Sequence, residues 1–398
     1  MKRTNTILAA AFLLVLSLMA GYTLSDFSAM RTTVLDAWHA REAQEGDNLL
    51  TKLEFVADST ESTLNAALDR EHYFIQLYGG VQKLTHQRFV EDSYSYSIIR
   101  MNNGSLTFGS VAQVQKDVTH NAQATADFAA ALGEQGIPFS TVMTPQKVPQ
   151  HTDSVPAALR DYHNEEADQF LTVLEGEGIH TIDLRDDMGT DLTDYFFVTD
   201  HHWNADGAFV GNQIMTRLLA EAYGFTPFEQ GLEQGQFARQ AYPDLFLGSQ
   251  GKRVGTLYAG LDDFALYSPE FETNLTYQIS PTAVPRTGTL NEALYFTEHI
   301  NFDPFTANPY VTFAGGDWAK ATVTNHLNPD GPKVVMIRDS FACAITPFFA
   351  LQCSQLTTID LRAYNGEDLL GDIAGMDPDF VVLFYSPSTT VSDNMFDF

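Results

Sequence analysis

Five short runs constrain this chain more than any other feature. GIPFSTVMTP (136–145), GIHTIDL (178–184), KVVMI (333–337), QLTTIDL (355–361) and DFVVLFY (379–385) read as buried strands, with apolar residues on both faces rather than one. Such a strand needs cover on both faces, which a sheet with one wet side does not supply. Amphipathic stretches of helical period lie between several of them: NAQATADFAAALGEQ, PAALRDYHNEEADQFLTVLEGE, ADGAFVGNQIMTRLLAEAYG and DLLGDIAG. Strands alternating with helices of this length predict an α/β domain, a parallel sheet with helices on both sides. The stretch 225–330 breaks the alternation; rich in Gly, Pro, Tyr and Phe, it reads as an irregular β-rich insertion with hairpins.

The amino terminus points to a compartment. Lys2 and Arg3 precede the apolar stretch ILAAAFLLVLSLMAGYTL (7–24), and basic residues before an apolar run stay on the cytoplasmic side. Residues 1–28 therefore read as a signal peptide or a membrane anchor. The length of the run and the lack of an A-x-A site favour the anchor. All that follows is then expected outside the cytoplasm, tied to the membrane through this segment. From Thr32 to about Tyr78 the period is helical, and Gly79–Gly80 should stop it; residues 29–96 read as a helical arm and 97–398 as the α/β domain. With 22 Lys+Arg against 51 Asp+Glu and a net charge of −29, no basic face can be assembled, so nucleic acid is not an expected partner. Cys343 and Cys353 flank one helical stretch, which suits buried thiols better than a disulfide.

Two segments carry chemistry. In TDHHWNADGAF (199–209) a helix should start near Ala205, with Asn204 or Asp206 as cap and YFFV before it as a strand. In an extended connection Asp200 and His202 share a face while His201 points elsewhere. A carboxylate beside an imidazole fixes its tautomer and suits a general base. The same residues also read as a capping Asp with a partly buried His, or as a metal set of Asp200 with the two histidines, though no second cluster with ligand spacing accompanies them. In KVVMIRDSFACAITPFF (333–349), Ser340 follows a buried strand on a tight turn, where free backbone N–H groups suit the oxyanion of acyl transfer. Its plainer reading is a helix cap by Asp339 or Ser340, on a helix kept short or kinked by Pro347. Together they supply nucleophile, base and orienter. The acid-rich DLRDDMGTDLTD (183–194) does not fit a calcium loop. The tyrosines of EDSYSYSIIR alternate as in a packed strand.

TDHHW followed about 140 residues later by RDSF resembles the DHHW family of the SGNH-hydrolase superfamily, related to the AlgX/AlgJ-like proteins that O-acetylate alginate and other exopolysaccharides. The likeness takes in FIQLYGGVQKLTHQRFVEDSYSYSIIRMNNGSLTF, TPQKVP, FETNLTY and DLRAYN, in an order permuted relative to ordinary SGNH esterases. It implies an SGNH-like parallel sheet flanked by helices, with Ser340 as nucleophile, His202 as general base and Asp200 as its orienting acid. It matches Arg362 to an arginine that assists the site, or leaves it a surface ion pair. Gly315 and Gly316 supply an oxyanion N–H or make a turn; Lys147 faces the site or is a solvated loop lysine; Trp203 stacks on a sugar or packs beneath the histidine. Arg338 stands where GDS has Gly, so a bulky cation is expected beside the nucleophile, aiding an anionic substrate or crowding the turn. The usual Gly-x-Asn-Asp block is missing. The resemblance implies an acetyltransferase or acetylesterase on a cell-surface or secreted polysaccharide, without metal or other cofactor, its acetyl donor served by a multi-pass membrane O-acyltransferase. A non-catalytic polysaccharide-binding or assembly subunit is the other reading.

Overall fold

The computed structural model describes residues 31–32, 34–36, 38–39, 55–56, 71–91, 97–109, 114–150, 154–156 and 161–398. The apolar stretch 7–24, most of the arm, and the tyrosines at 94 and 96 lie outside them. Two compact units are present, Met1–Ile75 and Gln76–Phe398, and apart from the first turn of α1 the second holds everything described below. Among the described residues, no helix is long and apolar enough to cross a membrane.

The main elements, in chain order, are α1 (Glu71–Leu84), β1 (Phe89–Glu91), β2 (Ser97–Arg100), β3 (Leu106–Gly109), α2 (Thr119–Glu134), β4 (Phe139–Met143), α3 (His163–Gly176), β5 (His180–Asp183), α4 (Ala205–Tyr223), β6 (Phe237–Phe246), α5 (Ser249–Val254), β7 (Asp262–Pro269), β8 (Leu275–Gln278), β9 (Arg286–Gly288), β10 (Lys320–Asn325), β11 (Lys333–Arg338), α6 (Ala342–Phe349), β12 (Gln355–Ile359), α7 (Leu369–Ala374) and β13 (Phe380–Tyr385). The central sheet has eight strands in the order β5-β4-β13-β11-β12-β10-β8-β9. The five expected runs form its parallel half. Successive residues of β11 face opposite ways: Val334 and Met336 enter one core with Phe209, Met215 and Phe348, while Val335 and Ile337 enter the other with Phe128, Phe170 and Leu174. Pleating turns a continuous apolar run into two buried faces, and the fold is of the α/β class.

Three expectations are corrected. The sheet is mixed rather than all parallel, because β10, β8 and β9 pair antiparallel beyond β12; most of the expected insertion is thus structured, and β6 with β7 forms a separate two-stranded sheet. β10 alternates between half-buried and buried positions, the pattern of an antiparallel strand and not of the central runs. YFFV forms no strand: a 3₁₀ turn covers Thr193–Tyr195, and one isolated bridge joins Phe196 to Trp203. Gly79–Gly80 does not stop the helix, which runs on to Leu84.

Gly79 explains its own presence. A Cβ there would lie 1.8 Å from the Val254 carbonyl oxygen, so the residue admits a close backbone approach at a helix-propensity cost of about 1 kcal/mol. Gly79→Ala should lower stability by roughly 1–3 kcal/mol through overpacking, read as a shift of the urea midpoint. Gly133→Ala is the control, since nothing lies within 4 Å of its added Cβ. Equal effects at the two positions would refute the packing argument.

Candidate active site

All five parallel strands present their carboxyl ends on one edge, where α/β sheets place their sites. The 199–203 segment is held there by a dense set of bonds. The Asp262 carboxylate accepts from the Val198 N–H (2.7 Å), the Thr199 N–H (2.8 Å) and the Thr199 hydroxyl (2.6 Å). Asp200 Oδ1 accepts from the His202 N–H at 3.0 Å and from His202 Nδ1 at 2.6 Å, and Oδ2 accepts from the Ser249 N–H at 2.6 Å. Gly248 lets that loop close on Asp200, because a Cβ there would sit 2.2 Å from the Asp200 Cβ. The segment is therefore bent rather than extended, and His201 does not point away: its ring centroid lies 3.8 Å from that of His202.

Burial alone would raise the Asp200 pKa. The adjacent imidazoles and the bonds from His202 and Ser249 outweigh it and hold the carboxyl well below its ordinary range. Asn204 caps α4, its Oδ1 accepting from the Gly207 N–H at 3.0 Å. Trp203 is wholly buried and donates from Nε1 to the Phe341 carbonyl at 3.0 Å, so it packs beneath the site and offers no face to a sugar.

Ser340 stands on the turn from β11 into α6, its Oγ 2.7 Å from His202 Nε2. Asp339 shapes that turn: Oδ1 accepts from the Phe341 N–H at 2.9 Å, and Oδ2 from the Ser386 N–H and the Thr389 hydroxyl, both at 2.7 Å. Neither expected residue caps α6, whose N-cap is Phe341 without a side-chain cap bond; Asp339 closes the turn ahead of it, and the Ser340 hydroxyl is left to the imidazole. Tyr310, which no sequence motif marks, completes the arrangement. Its ring stacks on His202 at 4.0 Å and 14°, and its hydroxyl donates to the Ser340 carbonyl at 3.1 Å. Burial pushes that hydroxyl well above its usual pKa, so it remains a donor.

Arg338 does not stand beside the nucleophile. It is buried and pairs with Asp317; Nη1 also lies 3.4 Å from Asp360, and Nη2 donates to the Gly316 carbonyl at 3.1 Å. Arg362 closes the same network, donating to Asp360 from Nε (2.9 Å) and Nη2 (2.6 Å) and pairing with Asp317 at 3.0 Å. Burial would raise the Asp317 pKa, yet the two guanidinium groups bring it below its ordinary value. Sequence reasoning singled out neither Asp317 nor Asp360; two arginines near one serine in a chain this acidic are the signal for such partners. Ala314, Gly315 and Gly316 turn through φ of 53°, 74° and 90°, and the Gly316 N–H donates to the Phe313 carbonyl at 3.2 Å, so Gly316 makes a turn rather than an oxyanion donor. Both cysteines are free and buried, and burial pushes the Cys343 thiol up to about 12. Lys147 is not a solvated loop residue: Nζ donates to the Leu106 carbonyl (2.8 Å), Gln250 Oε1 (3.0 Å) and the Val198 carbonyl (3.1 Å). Among the described residues, one group could hold a metal ion: Asp200, His201 and His202, whose donor atoms lie within 4.8 Å of one another.

A mixed sheet with this edge defines an α/β domain, and the comparisons find its fold in known proteins. Residues 107–293 match the family model described as the SGNH hydrolase-like domain of acetyltransferase AlgX; the match includes Asp200 and His202 and ends before Ser340. Among solved structures, PatB1 of Bacillus cereus superposes with a TM-score of 0.64 at 22% identity, covering 76% of this chain and 99% of that one. PatB1 with a sulfonyl adduct gives 0.60 at 21% identity over 76% and 97%. A DHHW family protein from Eubacterium siraeum gives 0.56 at 16% identity over 77% and 95%. No curated protein sequence matches the chain.

The clamp on Ser340 and His202 has a direct test in the rate at which an arylsulfonyl fluoride labels Ser340. Tyr310→Phe, which keeps the ring, should slow labelling roughly fivefold, the value of one hydrogen bond (about 1 kcal/mol). Tyr310→Leu should slow it roughly 30-fold (about 2 kcal/mol). Equal rates in the two variants would show that stacking contributes nothing. For Lys147, burial lowers the pKa to about 7, with Asp262 and Asp200 pulling the other way. Between that value and the 10.5 of an ordinary lysine, the unfolded chain carries a proton that the folded amine lacks. This group's contribution to stability therefore rises with pH through that window and is lost as pH falls. The urea midpoint of wild type relative to Lys147→Met should climb between about pH 7 and about pH 9; a flat difference would contradict the assignment.

Proposed function

We propose that this chain is an extracytoplasmic O-acetyltransferase that works on a cell-surface or secreted polysaccharide through Ser340, His202 and Asp200. The observation that carries the proposal is the continuous relay from Asp200 Oδ1 to His202 Nδ1 (2.6 Å) and from His202 Nε2 to Ser340 Oγ (2.7 Å). Ser340 attacks the carbonyl carbon of an acetyl ester or thioester while His202 takes its proton, and Asp200 holds the imidazole in the tautomer that can accept it. The tetrahedral oxyanion forms at the turn from β11 into α6. The leaving group departs with the proton from His202. A sugar hydroxyl then attacks the acetyl-serine, giving its own proton to His202, so that the acetyl ends on the sugar and Ser340 regains its hydrogen. Water in place of the sugar would make the same relay an acetylesterase.

Support comes from the acetyltransferase description of the matching family model and from the apolar stretch 7–24, which fits a segment directing the domain out of the cytoplasm. On this reading the acetyl group is supplied by a multi-pass membrane O-acyltransferase. Arg338, whose bulk beside the serine would have suited a non-catalytic subunit, is buried in its ion pairs instead.

Mass spectrometry of the protein after incubation with an aryl acetate tests the reading. An acetyl adduct on Ser340 is expected, absent from Ser340→Ala and formed roughly a thousandfold more slowly in His202→Ala. Adding an oligosaccharide acceptor should then discharge the adduct faster than water does. No adduct on folded protein would refute the serine mechanism, while discharge indifferent to the oligosaccharide would assign the esterase outcome.

A further inference from the structure

His201 has no place in the proton relay, yet the fold holds it against that relay. Its Nδ1 lies 3.5 Å from Asp200 Oδ1, the same oxygen that His202 Nδ1 meets at 2.6 Å. Two imidazole nitrogens thus converge on one carboxylate oxygen, and the two ring centroids are 3.8 Å apart. The His201 side chain is 39% exposed while that of Asp200 is 5% exposed, so the group is buried on one side and open to solvent on the other. Ser249 backs the carboxylate, its N–H donating to Asp200 Oδ2 at 2.6 Å; its hydroxyl, 3.0 Å from His201 Nδ1, occupies the nitrogen a metal would take and has to yield that place. Two imidazoles, a carboxylate and an open fourth position are the donor set that zinc takes, and an outer N–H such as that of Ser249 on Asp200 Oδ2 orients the carboxylate.

We propose that Asp200, His201 and His202 form an inhibitory zinc site built over the proton relay. Zinc holds nitrogen and oxygen donors at about 2.0–2.2 Å, hence about 3.4 Å from one another in a tetrahedral shell. The His201 Nδ1 to Asp200 Oδ1 distance of 3.5 Å already meets that spacing, while the 2.6 Å contact of His202 has to open by about 0.8 Å. A zinc ion on His202 Nδ1 obliges the single proton of the neutral ring to sit on Nε2, where the Ser340 proton has to go. It also draws Asp200 away from its orienting bond. The relay stops without any change at Ser340, and removing the ion restores it. The inhibition part of this inference rests on the relay acting as proposed above; the binding part stands on the three ligands alone.

The test titrates the full chain with zinc sulfate and reads two signals. Zinc retention is measured against a chromophoric indicator for wild type, Ser340→Ala and His201→Asn, with a melting curve for each. Aryl acetate hydrolysis is measured for wild type and His201→Asn. Wild type and Ser340→Ala should each hold zinc with equal affinity, and His201→Asn should bind it more than about tenfold more weakly. Zinc should halt wild-type hydrolysis and a chelator should restore it. His201→Asn should still hydrolyse the ester, with its inhibition curve, taken relative to its own zinc-free rate, displaced by the same factor as its binding; His201→Gln guards against a folding defect in the first variant. Equal zinc retention by wild type and both His201 variants overturns the site, and so does hydrolysis that persists at saturating zinc. Zinc held through His201 by a protein that hydrolyses nothing would support the site and count against the acyl-transfer reading.

Discussion

Burying an ionised carboxylate costs several kcal/mol unless partners meet it, and the arrangement around Asp200 follows from meeting that cost. Both oxygens are engaged, Oδ1 by the backbone and ring of His202 and Oδ2 by the Ser249 N–H. Each bond fixes something else. The backbone bond bends the 200–202 segment, the ring bond sets which imidazole nitrogen faces Ser340, and the Ser249 bond draws in the 248–254 helix on a glycine that leaves room for it. Behind this stands a second carboxylate, Asp262, which gathers the N–H groups of Val198 and Thr199. The DHHW segment is therefore positioned by inward acids rather than by a strand.

Ser340 depends on a comparable device. Asp339 draws the turn after β11 toward the residues after β13, so two neighbouring parallel strands share one carboxylate at their carboxyl ends. Below it, Arg338 and Arg362 meet Asp317 and Asp360 in a compact charge network. Buried ion pairs of this kind add little net stability, but losing one partner strands the other charge. Their effect is to pin the 314–317 turn, β11 and the residues after β12 to one another, which keeps a bulky arginine compatible with an open serine. Tyr310 adds the last restraint, reaching from the inserted segment to the ring of His202 and the carbonyl of Ser340.

How far the sequence could be read depended on the range of the interaction. The five central strands were legible because both-face burial writes itself as a continuous apolar run, and the cap at Asn204 was legible because capping is local. The triad residues were legible as types at plausible places. The conformation around them was not: Thr199 and Asp200 owe their bend to Asp262, Gly248 and Ser249, about fifty to sixty residues downstream, and no pattern within TDHHW contains that information. Gly79 misled for a related reason, since a glycine that breaks a helix and one that admits a neighbouring backbone look alike in one dimension. Lys147 appeared as a loop lysine because its three acceptors come from β3, the 198 segment and α5.

By itself, then, the sequence determined the class of fold, the parallel half of the sheet, and the identity of a serine after a strand and of an aspartate and a histidine before a helix; these follow from hydrophobic period and local turn chemistry, which act over a few residues. Only the tertiary structure decided that Arg338 turns away from the serine, that Trp203 is floor rather than platform, that Tyr310 belongs to the site, and that His201 shares an oxygen with His202. Those outcomes depend on which distant groups can satisfy a buried charge or fill a buried face. That is a property of the assembled packing, where a polar group left unpaired costs more than any local preference contributes.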